Sequence, residues 1–176
     1  MRPPKAALGL LGLMVALFFQ LNDSRSVPRL IEPLGRALSI PARWEPMPAQ
    51  GVAAAFHDQG TPPMRAFLLV KVEPRPPGGA RQALAQALAT AQQTVPAFEP
   101  RAPSRESTGM RPPKAALVNF YFESPLPNGT WFPSAGTSVA RDVGELTLTL
   151  TWFGPPGELD RQRWDLARIL DESDLD

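Results

Sequence analysis

Two hydrophobic periods divide this chain, and they alternate. In GELTLTLTWFG, Leu146, Leu148, Leu150 and Trp152 interleave with Glu145, Thr147, Thr149 and Thr151. That is the period-two pattern of a strand with its apolar face on a core and its other face outward. MRAFLLVKVEP repeats it with Ala66, Leu68, Val70 and Val72 on one side, and KAALVNFYFES sets Val118, Phe120 and Phe122 against Leu117, Asn119, Tyr121 and Glu123. ALSIPARWEPMP, which carries Trp44, and GVAAAFHDQG predict two shorter strands. The period lengthens over residues 80–95, where Leu84, Leu88, Ala91 and Val95 form a helical stripe that Pro96 ends. ELDRQRWDLARILDE predicts a second helix, capped by Asp160 and burying Trp164, Ala167 and Leu170. Strands outnumber helices, and hairpin-length connections dominate the second half. The fold class expected is α+β: an antiparallel sheet with one face covered by two helices.

Residues 6–21, AALGLLGLMVALFFQL, follow neither period. The run carries no charge, and its length as a helix is ~24 Å against a hydrocarbon layer of ~30 Å. The aliphatic stem of Lys5 and the prolines before it narrow the gap. A membrane anchor, a cleaved signal and a helix buried in the fold are the alternatives. The exit FFQLNDSRS is bulky where a signal peptidase needs small side chains, which favours a retained anchor. Its membrane residues would be Lys5, Leu8, Gly9, Leu11, Gly12, Leu13, Val15, Leu17, Phe18 and Phe19, with Gly9 and Gly12 permitting close approach of other transmembrane helices. Arg2 and Lys5 put the N-terminus on the cytoplasmic side of the cell membrane and the rest outside it. The expected division is then an anchor at 1–21, a connector at 22–37 stiffened by Pro28 and Pro33, the α+β domain at 38–172 and an acidic solvated tail at 173–176.

The octapeptide MRPPKAAL stands at Met1 and again at Met110, heading first the apolar run and then a strand. Its flanks share nothing further, so it marks no repeat architecture. Charge adds little: 18 basic and 17 acidic residues leave no excess that would favour nucleic acid. With no cysteine there is no disulfide frame, thiolate metal site or thiol nucleophile. His57, the sole histidine, stands beside Asp58, but neighbours on a strand point to opposite faces, which argues against a catalytic pair. No nucleotide-binding or hydrolase motif is present, and no metal or cofactor site is expected. PPGGAR precedes a helix and is read as a loop terminator. In SPLPNGTWFPSAG, Asn128-Gly129 predicts a turn, and Trp131 and Phe132 at its edge are either half-buried or a docking patch. Arg101 and Arg105, in a Pro-rich run with Arg111 and Lys114, are further candidates for partner or headgroup contact.

The Trp-bearing IPARWEP, a strand pair before an Ala/Leu-rich helix, VNFYF, LTLTLTW and a closing helix with ARIL resemble, over about residues 38–172, the PsbP/DcrB-like superfamily. That resemblance implies a mostly non-enzymatic domain, as in extrinsic photosystem subunits, bacterial envelope proteins and chaperones that hold transmembrane segments. It departs from the pattern in the Pro-rich stretch 98–113 and in DESD after the last apolar turn. The expectation is a non-catalytic accessory subunit that stabilises or bridges a membrane complex, photosynthetic or otherwise energy-transducing, with integral-membrane subunits and the bilayer as partners. A chaperone for apolar client helices and a secreted periplasmic binding protein are the alternatives.

Overall fold

The computed structural model describes residues 25–60, 65–101, 115–126 and 128–175. Among these the chain forms nine strands and two α-helices, an α+β fold. An antiparallel hairpin comes first, β1 (Ser26–Ile31) and β2 (Arg36–Pro41), with Gly35 turning at φ +65°. Then follow β3 (Glu45–Met47), β4 (Ala54–His57), β5 (Phe67–Pro74), helix α1 (Gly79–Thr94), β6 (Glu99–Arg101), β7 (Ala115–Pro125), β8 (Trp131–Val143), β9 (Leu146–Gly154) and helix α2 (Leu159–Glu172). β3 to β9 form one antiparallel sheet in the order β3-β4-β5-β9-β8-β7-β6. Its edge strands are three residues long and carry Pro46 and Pro100, which deny a further strand the donors it would need.

Period two fixes which residues meet. β9 lies between β5 and β8, with Leu68 opposite Trp152, Val70 opposite Leu150 and Leu150 opposite Val139. This first face of the sheet carries the main core, covered by the hairpin and by α2 through Leu38, Ile40, Leu166, Ile169 and Leu170. Trp44, in the link from β2 to β3, meets Trp152 edge-on at 5.9 Å and ties that link to the central strand β9. The second face is covered over β7, β8 and β9 by α1, where Ala80 and Leu84 pack on Ala140, with Leu88, Ala116 and Val118 beside them. One helix on each face corrects the expectation of a single covered face. Thr147 and Thr149 looked solvent-facing because threonine is polar, yet both are buried. Thr147 donates to Asp142 at 2.8 Å, so its hydroxyl costs little under the helix.

Three other expectations change. From Ser26 the expected connector is a strand of the hairpin, and Ile31 and Leu34 belong to the core. The expected acidic tail is docked: Leu175 is buried, Ser173 Oγ accepts from the Ser39 amide at 2.9 Å, and Arg36 donates to the Asp174 carbonyl at 3.0 Å. Trp164 is 68 % exposed, not buried. The stripe that packs is Leu166, Ile169, Leu170 and Ser173, and at 3.6 residues per turn Trp164 falls opposite it. Asp165, next to it, pairs with Arg43.

Gly136 has no room for a side chain: a Cβ would stand 2.3 Å from Phe120 Cζ and 2.6 Å from the Trp152 carbonyl oxygen. Gly136→Ala is therefore expected to cost ~1–3 kcal/mol in urea denaturation. Truncating Phe120 should not restore the loss, because the backbone clash stays. Glu172 gives a second expectation. Burial alone would raise its pKa, but hydrogen bonds from Ser26 and Arg168 and the Arg168 charge outweigh burial and hold it below the ordinary 4.5. A depressed carboxyl stabilises the fold above that ordinary value and stops doing so as pH falls through the lower folded value. Unfolding curves at pH 7 and pH 3 should therefore differ less for Glu172→Gln than for the wild type.

Candidate partner-binding surface

β7 and β8 outrun the rest of the sheet. Gly154, the last residue of β9, pairs with Ala135, and beyond it Trp131, Phe132, Pro133 and Ser134 pair only with Pro125, Ser124, Glu123 and Phe122. Four residue pairs make a two-stranded ribbon ~13 Å long. The turn predicted at Asn128-Gly129 closes it. Gly129 adopts φ +81°, Asn128 Oδ1 accepts from the Thr130 amide at 3.1 Å and hydroxyl at 2.7 Å, and the Leu126 amide donates to the Thr130 carbonyl at 2.8 Å. Trp131 stands at the ribbon's tip, 51 % exposed, while Phe132 is half-buried and falls on the other face. The two aromatics thus divide between the readings held open for them.

Of the candidate arginines only Arg101 is among the described residues, and it stands on a different strand. Arg101 lies on the edge strand β6, its guanidinium carbon 5.1 Å over the centre of the Tyr121 ring, and it pairs with Glu99 at 3.1 Å. Both carboxylate and guanidinium are largely exposed, so the pair contributes ~0–1 kcal/mol. Arg105, Arg111 and Lys114 lie outside the described residues, as do all the anchor residues from Lys5 to Phe19. Among the described residues no helix is long and apolar enough to cross a membrane.

A larger aromatic feature escaped the sequence. On the second face, beyond the half that α1 covers, five phenylalanines from four segments run in contact. Phe67 stacks on Phe153 with ring centres 5.2 Å apart, Phe153 meets Phe122 edge-on at 5.8 Å, Phe122 meets Phe120 at 5.9 Å, and Phe120 stacks on Phe98 at 5.2 Å. Phe120 is buried; the other four are half-buried. Ala97 turns the chain at φ +51°, a conformation seldom taken by a residue with a Cβ, just before Phe98 joins the row. Hydroxyl pairs lie beside it, Ser124 with Ser134 at 3.0 Å and Ser138 with Thr151 at 2.8 Å. Only Phe120 and Phe122 share a strand, so the row exists only once strand order and register are known.

The remaining candidates for chemistry are occupied by structure. His57 Nδ1 lies 2.7 Å from the Asp58 carbonyl oxygen, and the Asp58 carboxylate accepts from the amides of Gly60 and Ala66, both at 3.0 Å. Their backbone contacts close a turn and bring no His–Asp side-chain pair. At the start of α1, Asp142 takes the place an anion would use, with its Oδ2 2.5 Å from where a Gly79 Cβ would stand and a 3.4 Å ion pair to Arg75. Among the described residues no cluster of three His, Asp or Glu could hold a metal.

Phe120→Ala is expected to lower stability by ~3–5 kcal/mol, whereas Trp131→Ala should change it by less than ~0.5 kcal/mol. Thermal or urea unfolding of both variants checks the contrast between an interior ring and a displayed one.

No family model matches this chain, and no curated protein matches it. Solved structures do. The solution structure of cyanobacterial PsbP (CyanoP) from Synechocystis sp. PCC 6803 superposes with a TM-score of 0.52 at 11 % identity, over 87 % of this chain and 94 % of that one. The crystal structure of LpqN, involved in cell envelope biogenesis of Mycobacterium tuberculosis, gives a TM-score of 0.46 at 15 % identity, over 84 % of this chain and 82 % of that one. The superposition on CyanoP shows that this domain has a PsbP-like fold.

Proposed function

We propose that this chain is a non-catalytic, membrane-anchored accessory subunit whose α+β domain lies outside the cytoplasm and stabilises or bridges a larger membrane protein complex. The observation that carries the reading is the phenylalanine row. Side chains this large, arranged in contact and left half-open on one end of a sheet face, suit burial against a second protein. The use of His57 and Asp58 in turn closure supports a role without catalysis. The PsbP-like fold supports an extracytoplasmic setting, and energy-transducing complexes are the first partners to examine. The apolar residues 6–21 supply the tether, and integral-membrane subunits supply the binding partner.

Membranes solubilised in mild detergent test this. On native gels the full chain should migrate in a species well above its own 19.1 kDa. A Phe122→Ala/Phe153→Ala variant that keeps its circular dichroism should lose that migration. A wild-type chain found solely as a free monomer would overturn the proposal.

A further inference from the structure

The end of the sheet from which the β7–β8 ribbon projects is also the end at which the described chain begins. The Arg25 carbonyl accepts from the Ala42 amide at 2.8 Å, and Ser26 pairs with Pro41, so the chain starts beside the β2–β3 link. That link leads to Glu45, which pairs with His57, which pairs with Phe67, which pairs with Phe153. Phe153 adjoins Gly154, past which the ribbon runs out to Trp131. α2 starts from this end too, five residues after Gly154, and its Asp165 is joined to Arg43 in the same link. Trp164 precedes Asp165. Of the three large hydrophobic side chains most exposed among the described residues, Trp131 and Trp164 therefore stand at the end where residues 1–24 join the domain, while Leu30 stands apart on β1.

Chain length then sets a distance. From Leu21, the last residue of the uncharged run, to Arg25 there are four residue steps, at most ~14 Å. The ribbon projects ~13 Å beyond the sheet. With residues 6–21 in a bilayer, this end of the domain stands within ~14 Å of the membrane, a distance about equal to the ~13 Å length of the ribbon. Tryptophan, with an apolar ring and one N–H donor, concentrates at the level of lipid headgroups.

We infer that Trp131 and Trp164 form a membrane-contacting edge, inserting their indoles at the headgroup level and fixing the tilt of the domain on its tether. The inference rests on the anchor reading above. It leaves the phenylalanine row, on the second face of the sheet, turned sideways toward a partner in the same membrane.

The test uses the full chain reconstituted in phosphatidylcholine–phosphatidylglycerol vesicles, with and without lipid bearing a headgroup-proximal nitroxide quencher. Trp44 and Trp152 are buried and give the unquenched background. The labelled lipid should quench emission, W131F and W164F should each lose part of the quenching, and W131F/W164F should lose all of it while remaining with the vesicles after carbonate washing. Vesicle-retained wild type with unquenched tryptophans would overturn the edge and leave the anchor standing. Quenching lost only when a partner protein covers the ribbon would support the edge in the free chain, whereas protection from aqueous iodide by that protein alone would assign the tryptophans to protein and overturn it. Release of the wild type by carbonate would overturn the anchor reading, and the edge with it.

Discussion

The fold depends on β9 being buried on both sides. Leu148, Leu150 and Trp152 fill one face and Thr147 and Thr149 lie sealed on the other. A threonine face can be sealed because its hydroxyls find partners within the sheet, Thr147 on Asp142 and the neighbouring Thr151 on Ser138. Ala80, Ala83 and Leu84 let α1 pack against this side. A central strand sealed twice makes a three-layer body, in which the hairpin and α2 occupy one face and α1 part of the other. Function is left to whatever neither layer covers.

Much of this was legible because strands declare themselves by alternation. The facing sets on β5, β7 and β9, the extent of α1 to within a residue or two and the Asn128-Gly129 turn all stand where the period put them. β8 did not announce itself, since its thirteen residues mix Pro133, Gly136 and small polar side chains. Gly136 is there for a tertiary reason, to seat the Phe120 ring, and local propensity cannot express that. The threonines misled for a related reason: alternation says which residues share a face, not what lies over it. Grouping Trp164 with Ala167 and Leu170 at three-residue spacing misleads, because Leu166, Ile169 and Leu170 form the better-phased stripe. Pro28 and Pro33 suggested a linker, yet Pro28 sits in an outer hairpin strand and Pro33 in the single turn of 3-10 helix between β1 and β2.

The candidate surface was half legible for a physical reason. Trp131 follows a turn motif, and a bulky aromatic beside a tight turn has little protein around it to bury it, so its exposure could be anticipated. The phenylalanine row could not be. Phe67 and Phe153 occupy the phase of their strands opposite to Leu68 and Trp152, which makes them polar-face positions by period alone. Their contact arises because β5 and β9 pair them directly while the glycine at 136 lets the β7 rings lean across β8.

The two ends of the sheet then differ in kind. At the end where β9 begins, Gly144 turns at φ +58°, Arg75 and Thr147 hold Asp142, and that carboxylate sits against the first residue of α1. Asp142, the half-buried carboxylate at this end, is thus held by internal partners. At the other end the described chain begins, the ribbon overhangs, α2 starts, two tryptophans are exposed and four phenylalanines of the row are half-open. Apolar side chains left in water raise the free energy of the isolated domain by roughly 25 cal/mol for each Å² they expose. A fold that holds its Asp142 carboxylate internally at one end and leaves aromatics open at the other is therefore incomplete at a specific place, and under the proposed anchoring that place lies beside the tether, within reach of a bilayer and a membrane-embedded partner.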